Sequence, residues 1–389
     1  PVQLARIESL VEAGRREVTV EGNADEEKHL AHLYGPFTLW SVGETTAGRA
    51  SHRSMSENFE PLVEAARGGD ERAFRELLEP LGRELHAYAY RMLGGFHDAD
   101  DVLQESRLKA WRALATFEPR ASFRAWMYRI VTNTCLDLLK ARSRRVMPQD
   151  VGPSVAPGPP TTEPRSDISW LEPYPDALLP AAPGPEQAAQ QREGIRLAFV
   201  RVVQVLPPRQ RAALILHDVL DWSVAEVAAI LETTEAAINS ALQRARATIA
   251  RPPEPSPALA QRHAEAAERF VHAWENGNFD DFVQLLATDA VMSMPPWEYW
   301  LDGKEAVVST LLSTGTWDGE PRPGRYRIVP TAMNGDPGGL AYVLVPDGRY
   351  HSVCLTVLSF DANGRVAELT TFVLPELFAA WGFPAVLDA

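Results

Sequence analysis

From Phe59 to Arg145 apolar residues recur every three to four positions, the period of helices that bury one face. A first helix is expected over Pro61–Arg67, stopped by Gly68-Gly69-Asp70. A second over Glu71–Leu93 buries Phe74, Leu77, Leu78, Leu81, Leu85, Tyr88 and Met92. Pro80 removes a backbone donor and Gly82 adds freedom, so this helix should kink or divide there. Asp98 to Arg145 holds two more helical signals. Asp98 is placed to cap the first, with Asp100 and Asp101 in its opening turn, where the dipole favours negative charge. Pro119 biases Glu118 away from helical backbone and ends it. The next runs from about Phe123 to about Arg142, with Trp126, Ile130, Thr134 and Leu138 at helical spacing. It finishes in the basic run Lys140, Arg142, Arg144 and Arg145. On periodicity alone this pair is an ordinary helical hairpin with core aromatics and solvated arginines.

The pattern breaks over 146–185, where prolines at 148, 153, 157, 159, 160, 164, 173, 175, 180, 183 and 185 forbid regular helix and favour extended chain. Inside it, Trp170-Leu171-Glu172-Pro173-Tyr174-Pro175-Asp176 reads as a docked segment, with a disordered spacer as the alternative. Helical spacing returns over 186–250. One helix is expected over about 187–205, ending at Leu206-Pro207-Pro208, and another from Arg209 carries Ala213, Leu216 and Val219. Ser223 and Glu226 form a capping box for a third. After Glu232-Thr233-Thr234 a last helix runs from Glu235 to Ile249, with Ala237, Ile238, Ala241, Leu242 and Ala245 mostly buried. Helix, three-residue turn and helix make a helix-turn-helix. Asn239, Ser240, Gln243, Arg244 and Arg246 place hydrogen-bond donors on its outer face, as reading base edges in the major groove requires.

A short proline run over 251–257 precedes a different grammar over 258–389. Helices are expected over 258–276 and 280–286, a strand over 290–294, an aromatic loop at Trp297-Glu298-Tyr299-Trp300 and a helix over 303–313. Four alternating runs follow, Tyr326–Met333, Leu340–Val345, Ser352–Phe360 and Val366–Phe372. Gly335-Asp336-Pro337-Gly338-Gly339 is read as the first of their turns. The order predicts a multidomain chain: two all-α domains, the second a helix-turn-helix, followed by an α+β cone. Trp297, Trp300, Tyr342 and His351 could line an apolar pocket in that cone or simply fill it, and His351 and Asp302 are the weak candidates for acid–base chemistry.

At 389 residues two or three domains are expected, and no run is apolar enough to span a bilayer. Cys135 and Cys354 lie far apart and suit buried thiols in a reducing cytoplasm; no metal-ligand spacing appears, and no cofactor is expected. The net charge of −14 counts against a chain that grips DNA alone, although Lys140–Arg145 and Arg244–Arg251 concentrate positive charge locally. Residues 1–54 carry no clear pattern. They read as an extension of uncertain order before Met55, which opens a stretch resembling a natural start.

The residue identities add to the pattern. Asp98-Ala99-Asp100-Asp101-Val102-Leu103-Gln104-Glu105 and the set Phe123, Trp126, Met127, Arg129, Ile130, Asn133 resemble the promoter-melting domain of extracytoplasmic-function (ECF) sigma factors, here over 57–145. Leu206, Pro207, Gln210 and Arg211, with the helix-turn-helix, resemble the second DNA-reading domain of that family. Asn239-Ser240-Ala241 stands where many relatives carry K-S-R, so promoter preference does not transfer. Residues 258–383 resemble the SnoaL-like branch of the NTF2-like superfamily.

The resemblance implies core RNA polymerase (its β′ clamp and β flap) and promoter DNA as partners. Asp101, Gln104, Glu105 and Lys109 would face the clamp. Arg120, Phe123, Trp126, Asn133, Lys140, Arg144 and Arg145 would serve the −10 element, with Phe123 stacking on an unstacked base. Asn239, Ser240, Gln243, Arg244 and Arg246 would serve the −35 element. Trp170, Leu171, Glu172 and Pro173 would form a regulatory linker contact with the C-terminal domain, where a small ligand is a further candidate partner. Two rivals stay open: a ligand-sensing helix-turn-helix regulator acting alone, and a SnoaL-type cyclase or isomerase with a helical appendage.

Overall fold

The computed structural model describes residues 52–118, 122–181, 184–249, 257–313 and 323–388. The expectations for residues 1–51 and for Arg120 lie outside the described residues. Helix α1 (His52–Arg67) runs through the boundary expected at residue 54, and α2 (Glu71–Leu78) is capped by Asp70, which accepts from the Arg72 and Ala73 amides. A 3-10 turn at Glu79–Leu81 separates α2 from α3 (Gly82–Leu93), as Pro80 dictates. Helices α4 (Phe96–Ala113) and α5 (Phe123–Ala141) complete the layer, burying Leu85, Tyr88, Met92, Val102, Ala110, Met127 and Val131.

The segment after α5 is docked. Val146 pairs with Trp170, and Trp170, Leu171 and Tyr174 are buried. The single helix expected over 187–205 is instead two, α6 (Pro185–Glu193) and α7 (Leu197–Val203). Gly194 sits at the break, where a Cβ would lie 2.3 Å from Val219 Cγ1. The carbonyls released there accept from Arg91 Nε (2.9 Å, at Gly194) and Asn334 Nδ2 (2.8 Å, at Ile195). Helix α8 (Pro208–Leu214) passes into a π-helical turn over Ile215–Val219. Helix α9 (Val224–Ile230) opens with the expected Ser223–Glu226 capping box. Helix α10 (Glu235–Thr248) buries Ile238, Ala241, Leu242 and Ala245; Ala237, expected inside, lies on the exposed flank.

Helices α11 (Pro257–Asn276) and α12 (Phe279–Leu285) lead into a seven-stranded sheet. Its strands are β1 (Leu286–Ser293), β2 (Trp300–Asp302), β3 (Tyr326–Met333), β4 (Asp336–Leu344), β5 (Arg349–Phe360) and β6 (Val366–Phe372), in the order β2-β1-β6-β5-β4-β3. Helix α13 (Lys304–Ser313) follows β2; α14 (Glu376–Ala380) and β7 (Val386–Asp388), which pairs with β5, come last. Only β1 and β6 pair in parallel among these described strands.

Alternation along the strands divides the apolar residues between two faces. Met292, Leu358 and Leu369 pack with Phe270, Phe282 and Val307 beneath the helices of the same domain. Leu340, Tyr342, Leu355, Val357 and Phe372 turn to the other face and join the cluster that runs through α1 to α10.

The hinge of this packing is a turn read one residue too late from sequence. Asn334 (φ 55°) and Gly335 (φ 73°) form a two-residue hairpin, and Asp336 to Gly339 already belong to β4. Asn-Gly suits such a turn because both positions need positive φ. Asn334 is fully buried. Its amide N–H donates to the Tyr174 carbonyl (2.8 Å) and its Oδ1 accepts from the Tyr174 N–H (2.9 Å). Its Nδ2 donates to the Tyr90 hydroxyl and the Ile195 carbonyl, each at 2.8 Å. One side chain thus ties α3, the linker and the α6–α7 break to the C-terminal sheet.

Beside the turn, Asp336 meets Arg196 Nη2 at 3.2 Å, and Arg196 also reaches Glu193 at 3.7 Å. Asp176, which accepts from the Gly335 N–H at 2.9 Å, and Glu368 add further carboxylates close enough to act on Asp336. Burial pushes the Asp336 carboxyl up to about 7; Arg196 opposes that rise, and the carboxylates of Asp176, Glu193 and Glu368 reinforce it.

Two outcomes follow. Asn334→Ala leaves the Tyr174 N–H and the Ile195 carbonyl without partners and should weaken docking by about 1–3 kcal/mol, read as lost hydrogen-exchange protection at the Tyr174 amide. Undocked, Asp336 has an ordinary carboxylate pKa, so the docked form holds a proton that the undocked form releases. Its contribution is complete below about pH 4 and is lost as pH rises through about 7, by up to ~1.4 kcal/mol per pH unit. The thermal midpoint should therefore fall less between pH 5 and pH 8 in Asp336→Asn than in the unaltered chain.

Candidate nucleic-acid interface

On α4, Asp101, Gln104 and Glu105 are exposed and Lys109 is half-buried. Lys109 Nζ lies 2.8 Å from Glu105 and donates to Thr134 Oγ1 on α5 at 3.2 Å, which fixes its stem against the helix behind. Burial, with the nearby Asp98 and Asp100 carboxylates, raises the Asp101 pKa. These four residues form an accessible polar strip.

The start of α4 differs from the expectation. Gly95 is the N-cap, and Asp98, buried inside the first turn, caps nothing. The cap comes from the linker: Glu172 Oε2 accepts from the Phe96 N–H (2.7 Å) and the His97 N–H (3.1 Å). Burial works against the Glu172 charge, but the His97 hydrogen bond and the Arg145 guanidinium outweigh it and hold the carboxyl at about 2. Asp98 instead pairs with Arg142 and Arg145, the latter at 2.7 Å, and Arg145 also reaches Glu172 at 2.9 Å. Arg145, expected to touch DNA, is thus half-buried and held between two carboxylates and the Trp170 carbonyl. Lys140, paired with Asp137 at 2.9 Å, and Arg144 remain exposed, as does Asn133.

Phe123 and Trp126 also differ. Both are buried, in a ring cluster with Phe59 and Phe117 (centroids 5.2–6.3 Å apart), so Phe123 offers no open stacking face in this state.

On α10, Asn239, Ser240, Gln243 and Arg244 are exposed on one side of the helix. Ser240 donates back to the Ala236 carbonyl at 3.0 Å, and Arg246 is turned to Asp218 at 2.5 Å. The helix-turn-helix touches α5: Glu232, in the turn before α10, lies 3.7 Å from Arg129, while Trp222, just before α9, packs edge-on against Tyr128 and lies 4.4 Å from the Arg124 guanidinium. Arg211 is driven deeper still. It donates to the Met92 carbonyl on α3, the Gln204 carbonyl and side chain, and the Leu206 carbonyl, and burial lowers its pKa to about 10. Arg91 and Arg124 carried no sequence signal for these contacts. The Asn334-Gly335 pair did, as a hairpin dipeptide between two alternating runs.

Trp297, Trp300, Tyr342 and His351 do not share a pocket, which corrects that expectation. Trp297 and Trp300 bond to the linker, at the carbonyls of Thr162 (3.1 Å) and Gly152 (2.9 Å). Tyr342, on β4, is covered by Phe378 of α14 and donates to the Pro384 carbonyl; His351 pairs with Asp347 at 2.8 Å. Leu171 joins the apolar cluster of the helices, Trp170 Nε1 donates to the Arg165 carbonyl, and the Glu172 carbonyl accepts from Tyr90 on α3, with Tyr174 making the bond to Asn334. Among the described residues no group suits a metal ion, and no helix is long and apolar enough to cross a membrane.

The arrangement has the counterparts that its motifs suggested. The Sigma-70 region 2 model matches residues 77–145, the Sigma-70 region 4 model residues 196–249, and the SnoaL-like domain model residues 267–369. The chain is 39% identical over 351 residues to ECF RNA polymerase sigma factor SigG of Mycobacterium tuberculosis, covering 88% of this chain and 92% of that one. It is 31% identical over 313 residues to ECF RNA polymerase sigma factor SigJ of the same organism, covering 77% and 91%. The crystal structure of SigJ superposes with a TM-score of 0.51 at 25% identity, over 80% of this chain and 99% of that one. The chain belongs to the ECF RNA polymerase sigma factors and is an alternative sigma factor with a fused SnoaL-like domain.

Proposed function

We propose that this chain directs core RNA polymerase to promoters in the cytoplasm, reading the −10 element with α5 and the −35 element with α10, and that its C-terminal domain holds the free chain closed. One observation carries the reading: α5 and the helix-turn-helix are in side-chain contact through Arg129–Glu232 and Tyr128–Trp222. Elements named for positions about 25 base pairs apart lie roughly 85 Å apart along a duplex. Readers in contact cannot span that, so use of both requires the chain to open. The exposed strip of Asp101, Gln104 and Glu105 supports polymerase as the agent that opens it. Asn133, Lys140 and Arg144 are available to DNA as they stand. Phe123 and Trp126 take a stacking role only after their ring cluster rearranges.

The acidic total supports a subunit over a free DNA-binding regulator. Asp302 and His351 lie on β2 and β5, with β1 and β6 between them, which supports a domain without turnover.

Run-off transcription tests this reading. Product should appear only with core polymerase, and a chain ending near residue 251 should give a markedly different yield. Asn334→Ala, by loosening the closed form, should raise product at limiting protein by about fivefold or more, the factor that ~1 kcal/mol is worth. Tight, sequence-specific promoter binding by the free chain in a mobility-shift assay would favour the stand-alone regulator instead.

A further inference from the structure

The linker between the two helical domains leaves one point and returns to it. The Val146 N–H donates to the Ser169 carbonyl and the Leu171 N–H to the Val146 carbonyl, each at 3.0 Å, so Val146 and Trp170 lie side by side in a parallel bridge. Residues 147–169 therefore add almost nothing to the distance between the helices they join. This excursion is held by the C-terminal domain. Gln149 Nε2 donates to Glu368 (3.2 Å), the Val155 N–H to the Trp300 carbonyl (2.9 Å), the Gly158 N–H to Thr310 Oγ1 (3.1 Å) and the Arg165 N–H to the Pro296 carbonyl (3.0 Å). In the other direction Trp300 Nε1 donates to the Gly152 carbonyl (2.9 Å) and Trp297 Nε1 to the Thr162 carbonyl (3.1 Å). The excursion also folds back on itself. A Cβ at Gly152 would lie 2.8 Å from one oxygen of Glu298, and Arg165 meets the other oxygen at 2.9 Å. Between them Gly158 takes φ 143°, a conformation that residues with side chains rarely adopt.

Chain length gives the fold-back a consequence. Residues 142–184, which join α5 to α6, reach roughly 140 Å when fully paid out at ~3.3 Å per residue. With Val146 and Trp170 held together, only 142–146 and 170–184 remain, roughly 65 Å at full stretch. The two promoter elements lie roughly 85 Å apart along the duplex. The bulk of the two domains covers part of the difference, but only with the short path drawn straight, which forfeits its conformational freedom.

We propose that the C-terminal domain stores residues 147–169 as slack, and that the Val146–Trp170 pairing limits how far the two DNA readers part until that slack is released. The domain then acts on the length of the tether as well as on the contacts between the readers. This rests on the proposed opening by core polymerase.

A reversible lock provides the test. Ser143 Oγ and Ser169 Oγ lie 3.4 Å apart at the foot of the excursion, Ser143 exposed and Ser169 half-buried. Ser143→Cys/Ser169→Cys places two sulfurs where a disulfide can close. Cys135 and Cys354 compete poorly, because burial raises the pKa of both thiols. Run-off transcription with core polymerase compares the oxidised and reduced forms of this protein, with the unaltered chain run under both conditions. The reduced form should match the unaltered chain. The oxidised form should give at least about tenfold less product, because a tether that cannot span its sites contributes almost nothing. Inserting about 25 Gly/Ser residues between Leu179 and Pro180 replaces the lost length and should return the oxidised form to the level of the reduced one. Equal product from both forms, or a deficit that the insertion does not relieve, would overturn the proposal. No product from the unaltered chain would remove the proposed function, and this inference with it. Should the double variant fail to fold, hydrogen exchange at Val155 and Gly158 of the unaltered chain decides it. Their protection should be lost on adding core polymerase; protection retained while the readers separate would overturn the stored slack and leave the opening intact.

Discussion

The packing depends on one buried amide. Asn334 presents a donor and an acceptor on a short side chain, and the structure uses both, together with its backbone N–H. The turn that carries it needs positive φ at two consecutive positions, which Asn-Gly tolerates. Its partners come from three distant parts of the chain, and each has been shaped to reach it. Helix α6 stops at Gly194, which frees the Ile195 carbonyl, Tyr174 sits in a proline-rich stretch with no regular ladder, and Tyr90 projects from α3. A buried polar node of this kind is stable only while every group is satisfied, so it favours one arrangement over a continuum.

The same arrangement accounts for the charge. A strongly acidic chain that reads DNA looks contradictory until the basic residues are located. In the closed form Arg142 and Arg145 face Asp98 and Glu172, Arg201 faces Asp150 at 2.7 Å, and Arg246 faces Asp218. Two cations that the promoter-binding reading would use, Arg145 and Arg246, are held by the chain's own carboxylates.

Much of this was legible where the cause is local. The division of the second helix at Pro80, the Ser223–Glu226 capping box, the helix-turn-helix and the strands Tyr326–Met333 and Val366–Phe372 all follow from periods and caps within a few residues. The misreadings came from contacts between distant residues. Glu172 caps α4 from 76 residues away, leaving Asp98 to a different task. Nothing near Phe123 signals that Phe59 and Phe117 will cover it. The Asn334 turn was within reach, but the glycines behind it gave a louder loop signal than the dipeptide itself. Trp297 and Trp300 read from sequence as pocket lining or cone filling; the linker carbonyls that their indole N–H groups reach lie more than 130 residues earlier, beyond any local pattern.

The proposed function requires the two DNA readers, in contact in the free chain through Arg129–Glu232 and Tyr128–Trp222, to separate in the holoenzyme. Spin labels at Asp137 on α5 and Ala247 on α10, both exposed, allow the distance to be measured by pulsed electron resonance with and without core polymerase. A short, narrow distribution in the free chain that shifts outward by several tens of ångströms on adding polymerase, towards the roughly 85 Å of duplex between the two elements, is the predicted result. A broad, long distribution in the free chain, or the same short distance in both states, would contradict it.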